Sequence, residues 1–168
     1  MKYVESRTCD KCPVGAESPN WGIEGENDIR FVAVLESSDW RALRTDYMNE
    51  LFLTRSGKAV AEVLGDRIEY TLITNSAKCL NQGGYKKPTK KMYEECAENV
   101  RAQINEIQPE LVICFGEKAA EAVLGQKFSE VVGQTLGNVV VVHHPRVMSI
   151  EEKALIKEIL GITPAQTS

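Results

Sequence analysis

No apolar run in this 168-residue chain approaches the length needed to cross a bilayer; even Val139 to Val142, among the longest, is only as long as a short strand. The opening Met1-Lys-Tyr-Val carries no hydrophobic segment of the kind that directs export, so an intracellular, cytoplasmic protein away from membranes is expected. An excess of positive charge is also missing. With 20 Lys and Arg against 24 Asp and Glu, the formal net charge of −4 repels phosphates at long range, which excludes indiscriminate polyanion binding but not a local basic site. Repeats and low-complexity stretches are absent, so residues 1–162 read as one domain, expected to be monomeric, with 163–168 as a loose tail.

Cysteine is scarce, at five residues, yet four of them are paired: Cys9-x-x-Cys12, and Cys79 with Cys96. In a reducing compartment, gathered thiolates are held by zinc or an iron–sulfur cluster more readily than by disulfides. Zinc sites usually use two short knuckles. Here residues 80–95 separate the second pair and include Gly83, Gly84 and Pro88, a wide loop suited to a larger object. A cluster is therefore favoured, with zinc open. A chain of this length buries most of its apolar surface unaided, so the metal would be added to a fold and would not replace one. Cys114, inside an apolar run, reads as a small buried hydrophobe.

Charge is uneven along the chain. Lys78, Lys86, Lys87, Lys90 and Lys91 occur with no acid among them and with Tyr85 in their midst. Such a segment can track a nucleic-acid backbone while the aromatic ring stacks on a base, although a solvated loop has the same composition.

Periodicity alternates between strand and helix. Ile29 to Leu35, Ile68 to Thr74, Leu111 to Phe115 and Val139 to His143 have the length and β-branched content of buried strands. Helices are expected over 56–65 and 90–108 and after Gly116. The long one carries Met92, Cys96, Val100, Ile104 and Ile107 on one face. Strands separated by helices imply parallel pairing, so the fold class is α/β: a central, mostly parallel four-stranded sheet flanked by helices in three layers.

Ligands of open parallel sheets bind at the carboxyl ends of the strands. The residues expected there are Glu36, Ser37 and Ser38 after the first strand, Asn75 after the second, and His143, His144 and Pro145 after the fourth. Each alone has an ordinary explanation as a turn, cap or loop residue; together they make one polar rim.

Read in order, these pieces resemble the uracil-DNA glycosylase superfamily, and within it the iron–sulfur, family-four branch. Cys9-Asp-Lys-Cys12-Pro13 is similar to the amino-terminal cluster motif. Ile73-Thr-Asn75-Ser-Ala-Lys78-Cys79, then Pro88-Thr89 and Cys96, continue the pattern. Ile107 to Gly116 with Ala119 to Gly125, and His143-His144-Pro145 near the end, complete it.

The resemblance implies a DNA glycosylase of base-excision repair that removes uracil or a related pyrimidine flipped out of DNA. It implies that His144 is catalytic with Glu36 and that Asn75, Phe52 and Ser37 hold the base. Lys86, Lys87, Lys90 and Lys91 would contact DNA, and Cys9, Cys12, Cys79 and Cys96 would hold a 4Fe–4S cluster. The chain departs from the family at Leu35-Glu-Ser-Ser-Asp-Trp-Arg41. Glu36 keeps the acid position, but the turn glycine and proline are missing and the later acid is replaced near Arg41 and Ala42. A larger pyrimidine could therefore enter. Two other readings stay open on the residues: a binding module that kept the fold and cluster, and an enzyme acting on a small nucleotide or modified base.

Overall fold

The computed structural model describes residues 1–4, 9, 21–37, 51–79 and 87–162. Its centre is a parallel sheet of β3 (Phe31–Ser37), β4 (Thr71–Ala77), β5 (Leu111–Phe115) and β7 (Val139–Val142). Short antiparallel strands extend both edges: β1 (Lys2–Tyr3) and β2 (Ile23–Glu24) beside β4, and β6 (Thr135–Leu136) beside β7. Among the described residues the order is β1-β2-β4-β3-β5-β7-β6, seven strands where four were expected. The added strands have two residues each, too few for any alternation to show in sequence.

Two strand boundaries move toward the carboxyl end. Residues Gly65–Tyr70 form a 3-10 turn, tied by the Thr71 hydroxyl, which donates to the Arg67 carbonyl at 2.7 Å, so β4 starts at Thr71 and not at Ile68. β3 likewise runs to Ser37. Glu36, Ser37 and Asn75 thus belong to the last residues of strands, not to the loops beyond them, and the ladder holds their backbones.

The helices are α1 (Arg55–Leu64), α2 (Lys90–Ile107), α3 (Glu117–Leu124), α4 (Phe128–Val131) and α5 (Ile150–Ile159). Side-chain oxygens cap three of them: Thr54 accepts from the Gly57 N–H, Thr89 from Met92 and Ser149 from Glu152. Alternation along the strands sorts the core into two layers. Phe31, Ala33, Leu35, Ile73, Ile113, Phe115, Val140 and Val142 pack with α1 and α5 through Val60, Val63, Leu64 and Ile156. On the other face, Val32, Val34, Leu72, Val112, Cys114 and Val141 pack with Val100 of α2 and the alanines of α3. Each fully buried aliphatic contributes roughly 1.5–3 kcal/mol before the entropy of ordering is set against it. No helix among the described residues is long and apolar enough to cross a membrane.

Candidate active site

His144 stands two residues beyond β7, where Pro145 opens a short 3-10 turn, Pro145–Val147. Its Nδ1 accepts the backbone N–H of Arg146 at 3.3 Å. A neutral imidazole that accepts at Nδ1 carries its proton at Nε2. Nε2 lies 4.0 Å from Oε2 of Glu36, so the two groups attract without a direct hydrogen bond. Burial holds the His144 pKa below its ordinary value; Glu36 opposes that shift and Arg146 adds to it. At neutral pH the ring is therefore an uncharged donor at the rim of the sheet.

Glu36 and Ser37 end β3, and a residue missed in the sequence meets them there. Tyr93, on α2, hydrogen-bonds Ser37 and lies in the field of Glu36; burial, reinforced by that carboxylate, pushes its phenol up to about 12. Lys118, in the first turn of α3, places Nζ 5.0 Å over the Tyr93 ring. The available signal was spacing: Tyr93 precedes Cys96 by three residues, which puts both on one side of a helix.

Asn75 is buried in β4, with its Cα in register with Leu35, the residue before Glu36. Alternation puts its side chain on the face of Ile73, the layer to which Val142 also belongs. Phe52 packs, half-buried, against that same layer. Its turn is held by Thr54, whose hydroxyl donates to the Leu51 carbonyl at 2.7 Å, and by Gly57, where a Cβ would fall 1.6 Å from the Leu51 oxygen. The structure therefore brings Glu36 to His144, pairs Asn75 with Leu35 one residue earlier in β3, and puts Asn75 and Phe52 against the same core layer, with Glu36 alternating to the other face of the sheet.

The basic segment is split. Lys78 does not face solvent with the other lysines: it is 1% exposed, and its ammonium donates to the Thr74 hydroxyl at 2.6 Å and the Asn75 carbonyl at 3.0 Å and lies 5.5 Å over the Trp21 ring. A buried ammonium needs such partners, and here they lock the backbone that carries Asn75. Lys87, Lys90 and Lys91 are exposed at the start of α2, with Lys90 3.8 Å from Glu94. Lys86, Tyr85 and Ser38 lie outside the described residues.

Cys79 directly follows the Lys78 that ends this network, and Cys96 points inward from α2; both are buried. Cys9 accepts a hydrogen bond from the Asn99 amide at 3.5 Å, one turn along α2 from Cys96. None of these is in a disulfide. Among the described residues no three Cys, His, Asp or Glu side chains form a complete ligand set, and Cys12 lies outside them. The donors that are described suit a thiophilic metal or cluster. Cys114 is a different case: burial in β5 pushes its thiol up to about 12, as befits a packed hydrophobe.

A parallel sheet with a neutral histidine, a carboxylate and an asparagine at or near its strand ends is the arrangement in which open α/β sheets bind ligands. Residues 36–160 match the family model of the uracil DNA glycosylase superfamily, and the chain belongs to that superfamily. It is also 30% identical, over 123 residues, to the type-4 uracil-DNA glycosylase of Archaeoglobus fulgidus, in an alignment covering 70% of this chain and 59% of that relative. The chain thus spans less than two thirds of that protein's length.

Proposed function

We propose that this protein hydrolyses the N-glycosidic bond of uracil, or of a closely related pyrimidine, in DNA. The observation that carries this reading is His144, held uncharged with its donor nitrogen at the strand ends, 4.0 Å from Glu36. As the bond between C1′ and N1 breaks, its electron pair leaves with the base and positive charge develops on the sugar. A donor from His144 to the base's O2 stabilises the departing anion. Glu36 stabilises the cationic sugar and takes a proton from the water whose oxygen adds to C1′. The released base is reprotonated from solvent.

Asn75 offers both a donor and an acceptor, the pair needed to read the O4 and N3–H edge of a flipped uracil. Phe52 would support the ring face, with Ser37 at the rim. Lys86, Lys87, Lys90 and Lys91 would hold phosphates. Cys9, Cys12, Cys79 and Cys96 would hold a 4Fe–4S cluster, which when bound ties the amino-terminal segment to β4 and α2 and takes no part in bond cleavage. The Asn99 contact to Cys9 and the burial of Cys79 and Cys96 support that assignment.

The test is purified protein on matched oligonucleotides with and without a single uracil, followed by alkaline cleavage at abasic sites. Strand cleavage confined to the uracil position is expected. Absence of abasic sites with uracil and with other pyrimidines would overturn the reading.

A further inference from the structure

The segment that carries His144 is closed at both ends by one carboxylate. Glu152, on α5, accepts the His143 backbone N–H at Oε2 (2.7 Å) and the Ser149 backbone N–H at Oε1 (3.1 Å). Nδ1 of His143 lies 3.0 and 3.1 Å from the same two oxygens. In return the Ser149 hydroxyl accepts the Glu152 N–H at 3.1 Å. Inside this ring, the Val147 N–H donates to the His144 carbonyl at 2.9 Å. The His143 ring also meets the Phe128 ring edge-on, with centroids 5.2 Å apart.

A helix cap alone needs only the Ser149 exchange. The bonds to His143 are additional, and they act on the residue joined directly to His144. Glu152 itself is mostly covered, at 12% side-chain exposure, although the His143 ring it meets is half exposed. Burial alone would raise its pKa, yet the His143 and Ser149 N–H groups and the His143 ring bring it below the ordinary carboxylate value, so it is ionised at neutral pH. An ionised acceptor at Nδ1 requires a proton there on His143. The adjacent rings therefore use Nδ1 in opposite senses: that of His143 donates to Glu152, and that of His144 accepts from Arg146.

We propose that Glu152 is a positioning residue for His144: by joining the backbones of His143 and Ser149 it fixes the loop between them, and with it the direction of the His144 donor. Its catalytic consequence rests on the glycosylase reading; its structural content does not. The chain has two histidines, so nitrogen NMR of the imidazoles shows two rings, and His144→Ala assigns them.

In the wild-type protein His143 is expected to carry a proton at Nδ1, and His144 a proton at Nε2 with Nδ1 bare. Glu152→Ala should remove the acceptor that holds the Nδ1 proton of His143, changing its Nδ1 signal, and should shift the His144 signals. It should also lower the single-turnover rate on uracil DNA by at least about tenfold and up to about 10²-fold, the scale of a misplaced catalytic group, with DNA affinity within about twofold. Glu152→Gln, which keeps one carbonyl acceptor, should recover part of the loss and serves as the probe if the alanine variant does not fold. Ser149→Ala removes the cap but keeps the bonds to His143, and should lower the melting temperature while leaving the His144 signals in place. Unchanged His144 signals in folded Glu152 variants would reduce Glu152 to a helix cap and overturn the proposal. A wild-type protein that makes no abasic sites would overturn the glycosylase reading instead, and the tautomer measurement would still decide the role of Glu152.

Discussion

Nε2 of His144 and Oε2 of Glu36 approach to 4.0 Å although their strands, β7 and β3, are not neighbours; β5 lies between them. The intervening strand ends at Phe115, and the next residue, Gly116, has no side chain to fill the gap. That rim is the geometric core of the candidate site. Replacing His144 with alanine should depress single-turnover cleavage by about 10²-fold or more while DNA affinity stays nearly constant, because the donor is needed only as charge develops on the leaving base.

Protonation tests the same ring. Burial lowers the His144 pKa from its ordinary 6.5, so the unfolded chain takes up this proton first as pH falls. The residue's contribution to stability is therefore full above 6.5 and is lost as pH drops toward the lower folded value. Protonation would also put an N–H at Nδ1, facing the Arg146 N–H. The acid limb of the activity profile should lie below 6.5, and melting temperatures of wild type and His144→Ala, compared across pH 5 to 8, should reveal the stability component. A limb above 6.5 would contradict the neutral donor.

Gly116 gives a second handle on the rim. Its φ of 99° with ψ of −179° is a conformation essentially confined to glycine, and a Cβ there would sit 3.6 Å from the His144 Cα. Gly116→Ala should cost about 1–3 kcal/mol of stability, measured by denaturant unfolding, and should lower the cleavage rate by more than that loss alone would explain at a temperature where the variant is folded. Equal stability to wild type would mean that the backbone relaxes freely at this point.

How much of this was legible in the residues follows from what each signal depends on. The parallel strands announced themselves because Val32 to Leu35 and Val139 to Val142 are buried on both faces and so form continuous apolar runs. The edge strands did not, because two residues are defined as strand only by their partner. His144-Pro145, Glu36 and Asn75 were readable as strand-end chemistry, though their placement inside or just beyond the ladder was not. Tyr93 and Glu152 stayed hidden because each acts on a residue from another element: Tyr93 on Ser37, Glu152 on His143. Lys78 was misgrouped for a related reason. Composition joins it to the exposed lysines, whereas tertiary structure pairs it with Thr74, Asn75 and Trp21.

That division of the lysines is testable. Neutralising Lys87, Lys90 and Lys91 together should weaken DNA affinity and reduce the slope of log affinity against log salt by roughly 0.7 to 0.9 for each phosphate left without its lysine, with the fold intact. Lys78→Met should behave in the opposite way, lowering the melting temperature because its polar partners are deprived of their cation, with little change in salt slope per unit of folded protein. An unchanged slope in the triple variant would leave those lysines as solvated surface.

The cysteines make a prediction visible by eye. Anaerobically purified protein should be brown, with broad visible absorption that bleaches on oxidation, since thiolate-to-iron charge transfer absorbs there and zinc thiolates do not. Asn99→Leu, which removes the donor to Cys9 at similar volume, should shorten the lifetime of that colour in air relative to wild type. A colourless, folded preparation with stoichiometric zinc would replace the cluster with the ion.

Asn75 carries the sharpest test of substrate recognition. It is buried in β4, two residues before the strand ends at Ala77, and its peptide carbonyl is clamped by the Lys78 ammonium at 3.0 Å, so a substitution there alters chemistry more than position. Asn75→Asp would oppose a carboxylate to the O4 of uracil and offer an acceptor to the amino group of cytosine. The expected result, in otherwise identical strands, is loss of uracil cleavage and a gain on cytosine relative to wild type. Thymine and hydroxymethyluracil belong in the same series, because the departure from the family near Arg41 and Ala42 bears on bases with a substituent at the methyl position. Uracil cleavage that survives unchanged in Asn75→Asp would place base recognition on other residues, whatever the fate of His144.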